Sequence, residues 1–557
     1  MVTPHSCNVK KMLRSCEVGP MVAIALIAST LTFGCSSNTK PAPLSGSQPF
    51  ENVTRQAGLS YVWEQPADKA PLTILETIGN GAAFLDFNQD GALDILLVGD
   101  KTALYTGDGH GHFTDVSLKC GIADIAGKHL GCGVGDINND GYPDIYLSGY
   151  NTGHLLRNVD GKSIVDVTRQ SGIPSQPFGT AVTFADIDSD GKLDLYVGNY
   201  IRFDASSIQA CKRGKAMTSC PPGAYDGISG HLYKNLGNGH FADVTTTWNA
   251  NLPQGKTLGA AFAPPTMNGR YPQLAIANDE VPGELFTNTG STFKPFGQQA
   301  GIAFSSVGVP HAGMGLDWGD INNDGYLDLS IMTFSTETKP IYISDGNGFY
   351  TDKAASMGLG TELNAYVSFG TKWLDFDNDG WLDIMVTNGH TADNIADTGS
   401  GESYRQPLAL LKNVGGTAFN RIHTAELDKP VVGRGLATGD YDNDGYVDAI
   451  AVDSAGEPVL LHNRTRVTSR WLGVRLVGHA SARDAYGAVI TLSVGNDKLV
   501  RHCHADGSYL SSSDPRVHFG LGAREGNPKL YIRWPSGKTQ HVTVTEVNRY
   551  ITIEEPR

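Results

Sequence analysis

The chain has 557 residues, is 40% hydrophobic and carries a formal charge of −15. That is enough apolar material for more than one core, and the charge argues against a nucleic-acid partner, which requires a basic surface. Glycine and proline, at 67 and 27 residues, call for many tight turns and few long helices, and no run of 18 apolar residues predicts an ordinary membrane span.

Residues 1–35 read as an export signal of lipoprotein type. Lys10, Lys11 and Arg14 precede an apolar run from Met21 to Phe33 that is too short to cross a bilayer. Gly34–Cys35 resembles the end of a lipobox, which makes Cys35 the lipidation candidate, although Leu31 stands four residues before the cysteine where three is usual. A plain secretory signal is the competing reading. Either way the chain is expected at the cell envelope, the periplasm or outside the cell, meeting membrane only through an N-terminal lipid. Residues 36–49, rich in Ser and Pro, form a polar tether. In an oxidising compartment, Cys120–Cys132 and Cys211–Cys220 are the economical disulfide pairs, with Cys503 left over.

Between residues 50 and 466 the pattern D-x-[DN]-x-D-G-x-x-D recurs. It places oxygen side chains at positions 1, 3, 5 and 9 of six loops. The first three loops supply Asp86, Asn88, Asp90 and Asp94; Asp136, Asn138, Asp140 and Asp144; and Asp186, Asp188, Asp190 and Asp194. The other three supply Asp320, Asn322, Asp324 and Asp328; Asp375, Asp377, Asp379 and Asp383; and Asp440, Asp442, Asp444 and Asp448. Each loop is flanked by runs of strand length and composition, so it joins a hairpin.

A second element, of the type LxxN, begins at Leu155, Leu232, Leu285, Leu410 and Leu460, with looser versions at Leu104 and Ile341. A third, of the type FxDVT, begins at Phe50, Phe113, Ile164 and Phe241, with weaker versions at Phe293, Phe349 and Phe419. That makes seven frames for six acidic loops. In the fourth frame Pro264, Thr266 and Asn268 stand where ligands would be, so this unit keeps its fold signals and has lost its metal. Seven units of four short strands predict an all-β, seven-bladed propeller. The FxDVT element ahead of the first loop predicts closure by strand exchange between first and last blades.

Hard oxygen donors around an obligate glycine suit Ca²⁺, and about six structural sites are expected. A helix-flanked EF-hand would need Glu at position 12. Leu97, Leu147, Val197, Ile331, Val386 and Ala451 stand there instead, which excludes it. With the roughly 10⁻⁴–10⁻³ M dissociation constants of extracellular modules, such ions act as staples. No catalytic metal is implied.

From Trp471 onward, runs such as "LGVRLVG", "AVITLSV" and "LYIRW" between Gly, Ser and Pro turns predict a small all-β domain over residues 467–557, packed beside the propeller. The acidic hairpins resemble the FG-GAP/VCBS repeats of integrin-α-type propellers. "GSYLSSSDPRVHFGLG" and "IRWPSGKTQ" resemble the ASPIC/UnbV domain. Together they are similar to the bacterial relatives of the cartilage acidic protein family, as are "ETIGNGAAFLDFNQDG", "CPPGAYDGISGHLYKN", "AIANDEVPGELFTN" and "VTNGH". The resemblance implies extracellular, calcium-dependent interaction and carries no reaction with it.

No nucleophile elbow, zinc-protease helix or P-loop occurs. "HCH" at His502–His504 puts two imidazoles on one strand face, read as an exposed polar face before a soft-metal site. His311 and His390 lie in loops beside acidic hairpins, with loop hydrogen bonding favoured over lining a binding face. The reading is a binding or adhesion module for an extracellular protein or polysaccharide, without catalytic residues. The alternative is a carbohydrate-active lyase or hydrolase. A polar cleft with an unmetallated carboxylate or His–carboxylate pair would favour that enzyme.

Overall fold

The computed structural model describes residues 48–557 except 67–70, 208, 253, 267–268 and 466–468. The export signal with Cys35, almost all of the tether, and Asn268 lie outside the described residues. The described chain is all-β, with only single-turn helices between strands.

The strands form antiparallel units in chain order, the first of them Ala82–Leu85, Asp94–Leu97, Ala103–Gly107 and Phe113–Asp115. The innermost strand of each later unit is Lys128–Gly135, Gln176–Ala185, Thr257–Ala263, Leu316–Gly319, Ser368–Leu374 and Gly433–Gly439. Each innermost strand packs beside the next, and Gly433–Gly439 returns to Ala82–Leu85, which closes the circuit. In the second unit one long strand, Asp144–Val159, serves as both second and third strand and joins this sheet to the third unit. The strand Phe50–Asn52 completes the last sheet, with Phe50 opposite Asn463. The N-terminal FxDVT-type element therefore closes the ring, leaving no open edge between first and last sheets.

The C-terminal residues form two further sheets. One orders Val517–Gly522, Arg470–Val477 and Tyr550–Glu554; the other orders Asp497–His502, Val489–Val494, Lys529–Arg533 and Thr539–Thr543. Alternating apolar residues such as Ile490, Leu492, Leu530 and Ile532 are buried, and this core runs on into Phe184 and Leu195 of the third unit.

The C-terminal segment does more than sit beside the propeller. Residues 506–514, within the quoted "GSYLSSSD" stretch, enter the axis and bond to the innermost strand of every unit. Ser512 N donates to Ala82 O (3.1 Å), Cys132 N to Leu510 O (3.1 Å), Phe262 N to Asp506 Oδ2 (2.9 Å) and Ser508 N to Leu316 O (2.6 Å). Thr183 Oγ1 also donates to Asp506, Lys372 Nζ to Asp506 O (3.1 Å), and Asp514 N to Thr438 O (3.0 Å). Backbone groups of an irregular segment buried at an axis need such partners, and the converging inner strands supply them.

Two glycines at the inner strands are explained by this plug. A Cβ on Gly81 would stand 1.7 Å from Leu510 O, and one on Gly435 2.5 Å from Ser511 Oγ. Only glycine permits so close an approach.

Two expectations are corrected here. Cys120 and Cys132 are free; Cys120 ends a short helix with Sγ toward Ser117 O, while Cys132 lies on an inner strand with Sγ toward Leu510 O. Both pack as small apolar side chains in one buried cluster. The other pair, Cys211–Cys220, is bonded. The "HCH" face is not exposed either. His502 is buried, its ring stacked 4.0 Å from that of His504, whose Nδ1 lies 3.1 Å from Asp506 Oδ1. Cys503 is buried as well.

Candidate metal centres and an axial cavity

The six acidic loops share one backbone conformation. Position 4 (Gln89, Asn139, Ser189, Asn323, Asn378, Asn443) is left-handed, with φ between 53° and 60°, and the glycine at position 6 likewise, with φ between 82° and 99°. Two left-handed residues fold the loop back on itself, which explains Asn at four of the six first positions and glycine at the second.

The carboxylate at position 9 anchors each loop. In Asp94, Asp144, Asp194, Asp328, Asp383 and Asp448, Oδ2 accepts the amide of position 2 and Oδ1 an amide of the third strand. In five of the six loops the position 1 carboxylate accepts the amides of positions 5 and 6, as Asp375 does from Asp379 (3.0 Å) and Gly380 (2.8 Å).

The LxxN asparagine has a related job. Asn158, Asn235, Asn288, Asn413 and Asn463 each donate from Nδ2 to the position 2 carbonyl of the preceding unit's loop: Phe87, Ile137, Ile187, Ile321 and Phe376. The asparagine therefore staples neighbouring units. Ser344 replaces it in the fifth unit, which follows the unit without an acidic loop.

Carboxylate oxygens remain without a hydrogen-bond partner among the described residues: Oδ1 of Asp86, Asp188, Asp377 and Asp442, all buried. Ligand atoms of Asp186, Asp188 and Asp194 lie within 4.8 Å of one another, as do those of Asp375, Asp377 and Asp383, and of Asp440, Asp442 and Asp448. Burial pushes the carboxyls up, Asp94, Asp136, Asp320 and Asp375 to about 7 and Asp144 and Asp328 to about 8. Burial raises Asp194, Asp383, Asp440 and Asp448 as well. A cluster that resists ionisation while holding unpartnered oxygens suits a multivalent cation held by oxygen ligands.

In loops with Asn at position 3 the amide is turned inward, Asn88, Asn138 and Asn322 each donating to the position 5 carboxylate at 2.8 Å. In the fourth unit Pro264 and Thr266 offer no carboxylate.

The C-terminal sheets cover this face and touch every unit. Arg475 donates to Gln89 (2.7 Å), Asp484 accepts from Asp136 N (2.6 Å), and the carbonyl of Ala480 lies against Gly191. Arg533 donates to Pro265 O (2.7 Å), Arg501 lies beside Asp320 and Asp375, and Arg524 donates to Asp379 O (2.8 Å). Arg516 and Tyr550 both donate to Asp440. These arginines oppose the acidic loops, a complementarity that motif spacing alone does not reveal.

The opposite face has a cavity. In an antiparallel unit the second strand leaves at the end away from the acidic hairpin, and the loops that follow it form the far rim. There Tyr200, Asp279, Glu280, Glu337 and Thr391 join the helix Ile74–Thr77 around a cavity of about 330 Å³, under the hairpin carrying Cys211–Cys220. Four stretches that carry the family resemblance without being acidic loops contribute to its wall: Thr77 and Ile78, Cys220 to Pro222, Asp279 and Glu280, and the loop after "VTNGH".

Asp279 is buried, accepts from Tyr200 Oη (2.6 Å), and is pushed up to about 7 by burial and by Glu280 and Glu337. His311 Nδ1 lies 3.5 Å from Glu337 Oε2. His390 Nδ1 accepts from Ala392 N (2.8 Å), so its loop hydrogen bond is made; burial lowers it to about 4, which keeps the ring neutral. Arg434, fully buried, donates to the carbonyls of Thr77, Gly389, Gly433 and His390 and stacks on Phe369 at 4.0 Å. It fixes the rim loops through their carbonyls.

The FG-GAP-like repeat model matches residues 86–147, 136–197 and 375–451, and the ASPIC and UnbV model residues 478–557. Cartilage acidic protein 1 of Xenopus tropicalis is 22% identical over 513 residues, 86% of this chain and 73% of that protein. The human protein is 24% identical over 463 residues, 78% of this chain and 64% of that one. Among solved structures, the BP39L lectin from Burkholderia pseudomallei has a TM-score of 0.42 at 9% identity, covering 69% of this chain and 96% of its own. YCF48 from Cyanidioschyzon merolae has 0.39 at 9% identity, covering 72% and 99%. At these scores neither informs the ligand. The chain carries FG-GAP-like repeats followed by an ASPIC and UnbV segment, and is homologous to cartilage acidic protein 1.

Proposed function

We propose that this chain is an exported, calcium-stapled, seven-bladed propeller that binds an extracellular protein or polysaccharide, with residues 50–466 as propeller and 467–557 as its β domain. The carrying observation is the division of labour between faces. The position 9 carboxylates and most of those at position 1 lie buried and face the arginine-bearing sheets, where an ion would serve to hold structure together. The cavity beneath the Cys211–Cys220 hairpin remains for a ligand. In each loop the residues at positions 1, 3, 5 and 9 would hold Ca²⁺, which supplies positive charge and no reaction. Export, and lipid on Cys35, follow from the N-terminal pattern.

One observation favours a carbohydrate-active enzyme as second reading. Glu337 and the raised Asp279 line one cavity outside the acidic loops, with His311 behind Glu337. A single experiment separates the two. The chain from Pro41 onward is screened against polysaccharides and envelope proteins, with calcium and with chelator, and the same wells are assayed for released sugar. Binding without product supports the binding module; sugar release that is lost in Glu337→Gln supports the enzyme.

A further inference from the structure

Among the described residues, one acidic loop has an imidazole nitrogen beside its carboxylates. The residue before the LxxN asparagine faces the loop of its own unit. In the third and sixth units it is lysine, with Lys234 Nζ between Asp188 and Asp190, and Lys412 Nζ between Asp377 and Asp379. In the seventh it is His462, 6% exposed. Its Nδ1 lies 3.1 Å from Asp448 Oδ1 and 3.8 Å from Asp442 Oδ2. Ligand atoms of His462, Asp442 and Asp444 all lie within 4.8 Å of one another, and Asp440, Asp442 and Asp448 form an overlapping group. Asp442 Oδ1 is buried without a hydrogen-bond partner.

A lysine ammonium has no lone pair and competes with a metal for the carboxylates; a neutral imidazole coordinates it. Carboxylates alone suit Ca²⁺, whereas an imidazole among them shifts preference toward first-row transition ions, with zinc above cobalt and manganese. We propose that the seventh loop, with His462 added to Asp442, Asp444 and Asp448, is a mixed nitrogen–oxygen centre that takes a transition-metal dication such as Zn²⁺ in preference to Ca²⁺. The proposal rests on reading the acidic loops as metal sites and gives this one a different chemistry.

The full chain is stripped with chelator, returned to excess Ca²⁺, and titrated with Co²⁺, whose visible absorption reports its ligands. The expected result is a cobalt signal that saturates at a single site despite the calcium and is bleached by Zn²⁺. His462→Gln, which keeps a hydrogen-bonding side chain, abolishes the signal. Lys412→His, which places an imidazole beside Asp377 and Asp379, adds a second site. Absence of cobalt uptake in excess Ca²⁺, or equal uptake by His462→Gln, overturns the proposal and leaves His462 as a hydrogen-bond partner of Asp448. The calcium response of melting in the His462→Gln chain tests the remaining loops separately.

Discussion

Tyr509 donates its hydroxyl to the carbonyl of Ile78 at 2.8 Å across 431 residues of sequence. The tyrosine belongs to the C-terminal plug and Ile78 to the segment that leads into the first inner strand, so one bond records that the plug runs the length of the axis. Its ring also meets Phe369 of the sixth unit at 4.9 Å. Tyr509→Ala is expected to cost roughly 3–5 kcal/mol, the range for emptying a large buried aromatic site. Tyr509→Phe, which loses only the hydrogen bond, is expected to cost about 0.5–1.5 kcal/mol. Denaturant midpoints of the two variants check the ratio.

Removal of divalent ions should lower the melting temperature, and alanine substitutions in one loop should rank by what the carboxylate holds. Asp383 accepts two backbone amides, from Phe376 and Asn413, whereas Asp379 is half-exposed beside Lys412. Each orphaned buried amide costs about 1–3 kcal/mol. Asp383→Ala is therefore expected to destabilise the chain even in chelator, and Asp379→Ala mainly in calcium. Melting curves with and without chelator separate the two.

The asparagine staples predict additive losses. Asn413 bonds Ile321 O and Leu382 O, and Asn158 bonds Phe87 O and Pro143 O, with both side chains buried. Alanine at either should cost about 1–3 kcal/mol by leaving carbonyls unpaired. The staples join different pairs of units and share no partners, so the double variant should equal the sum to within about 0.5 kcal/mol. Chemical denaturation of the singles and the double measures it.

The cavity should give the protein a pH signature. Asp279 is raised to about 7 by burial and neighbouring carboxylates, against about 3.9 unfolded. A raised carboxyl contributes stability that is present below the unfolded value and lost as pH rises through the folded one. It is faced by Tyr200, Glu280, Glu337 and Lys256. Asp279→Asn can still accept from Tyr200 and has no proton to lose. Its advantage over the parent chain should therefore grow between about pH 4 and pH 7 and level off above. Melting temperatures of both chains across that range test the sign.

The acidic loops were legible because their chemistry is local: Asp375 to Asp383 form a turn, an anchor and a ligand group within nine residues. The LxxN signal was legible as a repeat, but its purpose was not. Asn413 finds its partner 92 residues earlier, on Ile321, and nothing in four residues specifies that. The plug was invisible for the same reason, since "SYLSSS" reads as a turn and acquires its partners only when the inner strands converge. The Cys120–Cys132 expectation failed because nearness in sequence says nothing about which way two sulfurs point. The cavity draws single residues from widely separated units, so no window of sequence contains it. Likewise "LLHN" does not reveal that the His462 imidazole stands 3.1 Å from Asp448, fourteen residues before it.

The ring is finished at both ends by borrowed pieces. Its last sheet takes Phe50–Asn52, made at the start, and its axis takes residues 506–514, made near the end. Domains usually fold as they emerge, N-terminal part first. Here the first strand must wait more than four hundred residues for Asn463, and the inner strands wait longer still for their shared partner. Until then the groups that bond the plug on those inner strands stand without it at the centre. A ribosome-bound or translocating chain halted before Ser513 would be a structure without an axle, exposed to pairing with its neighbours.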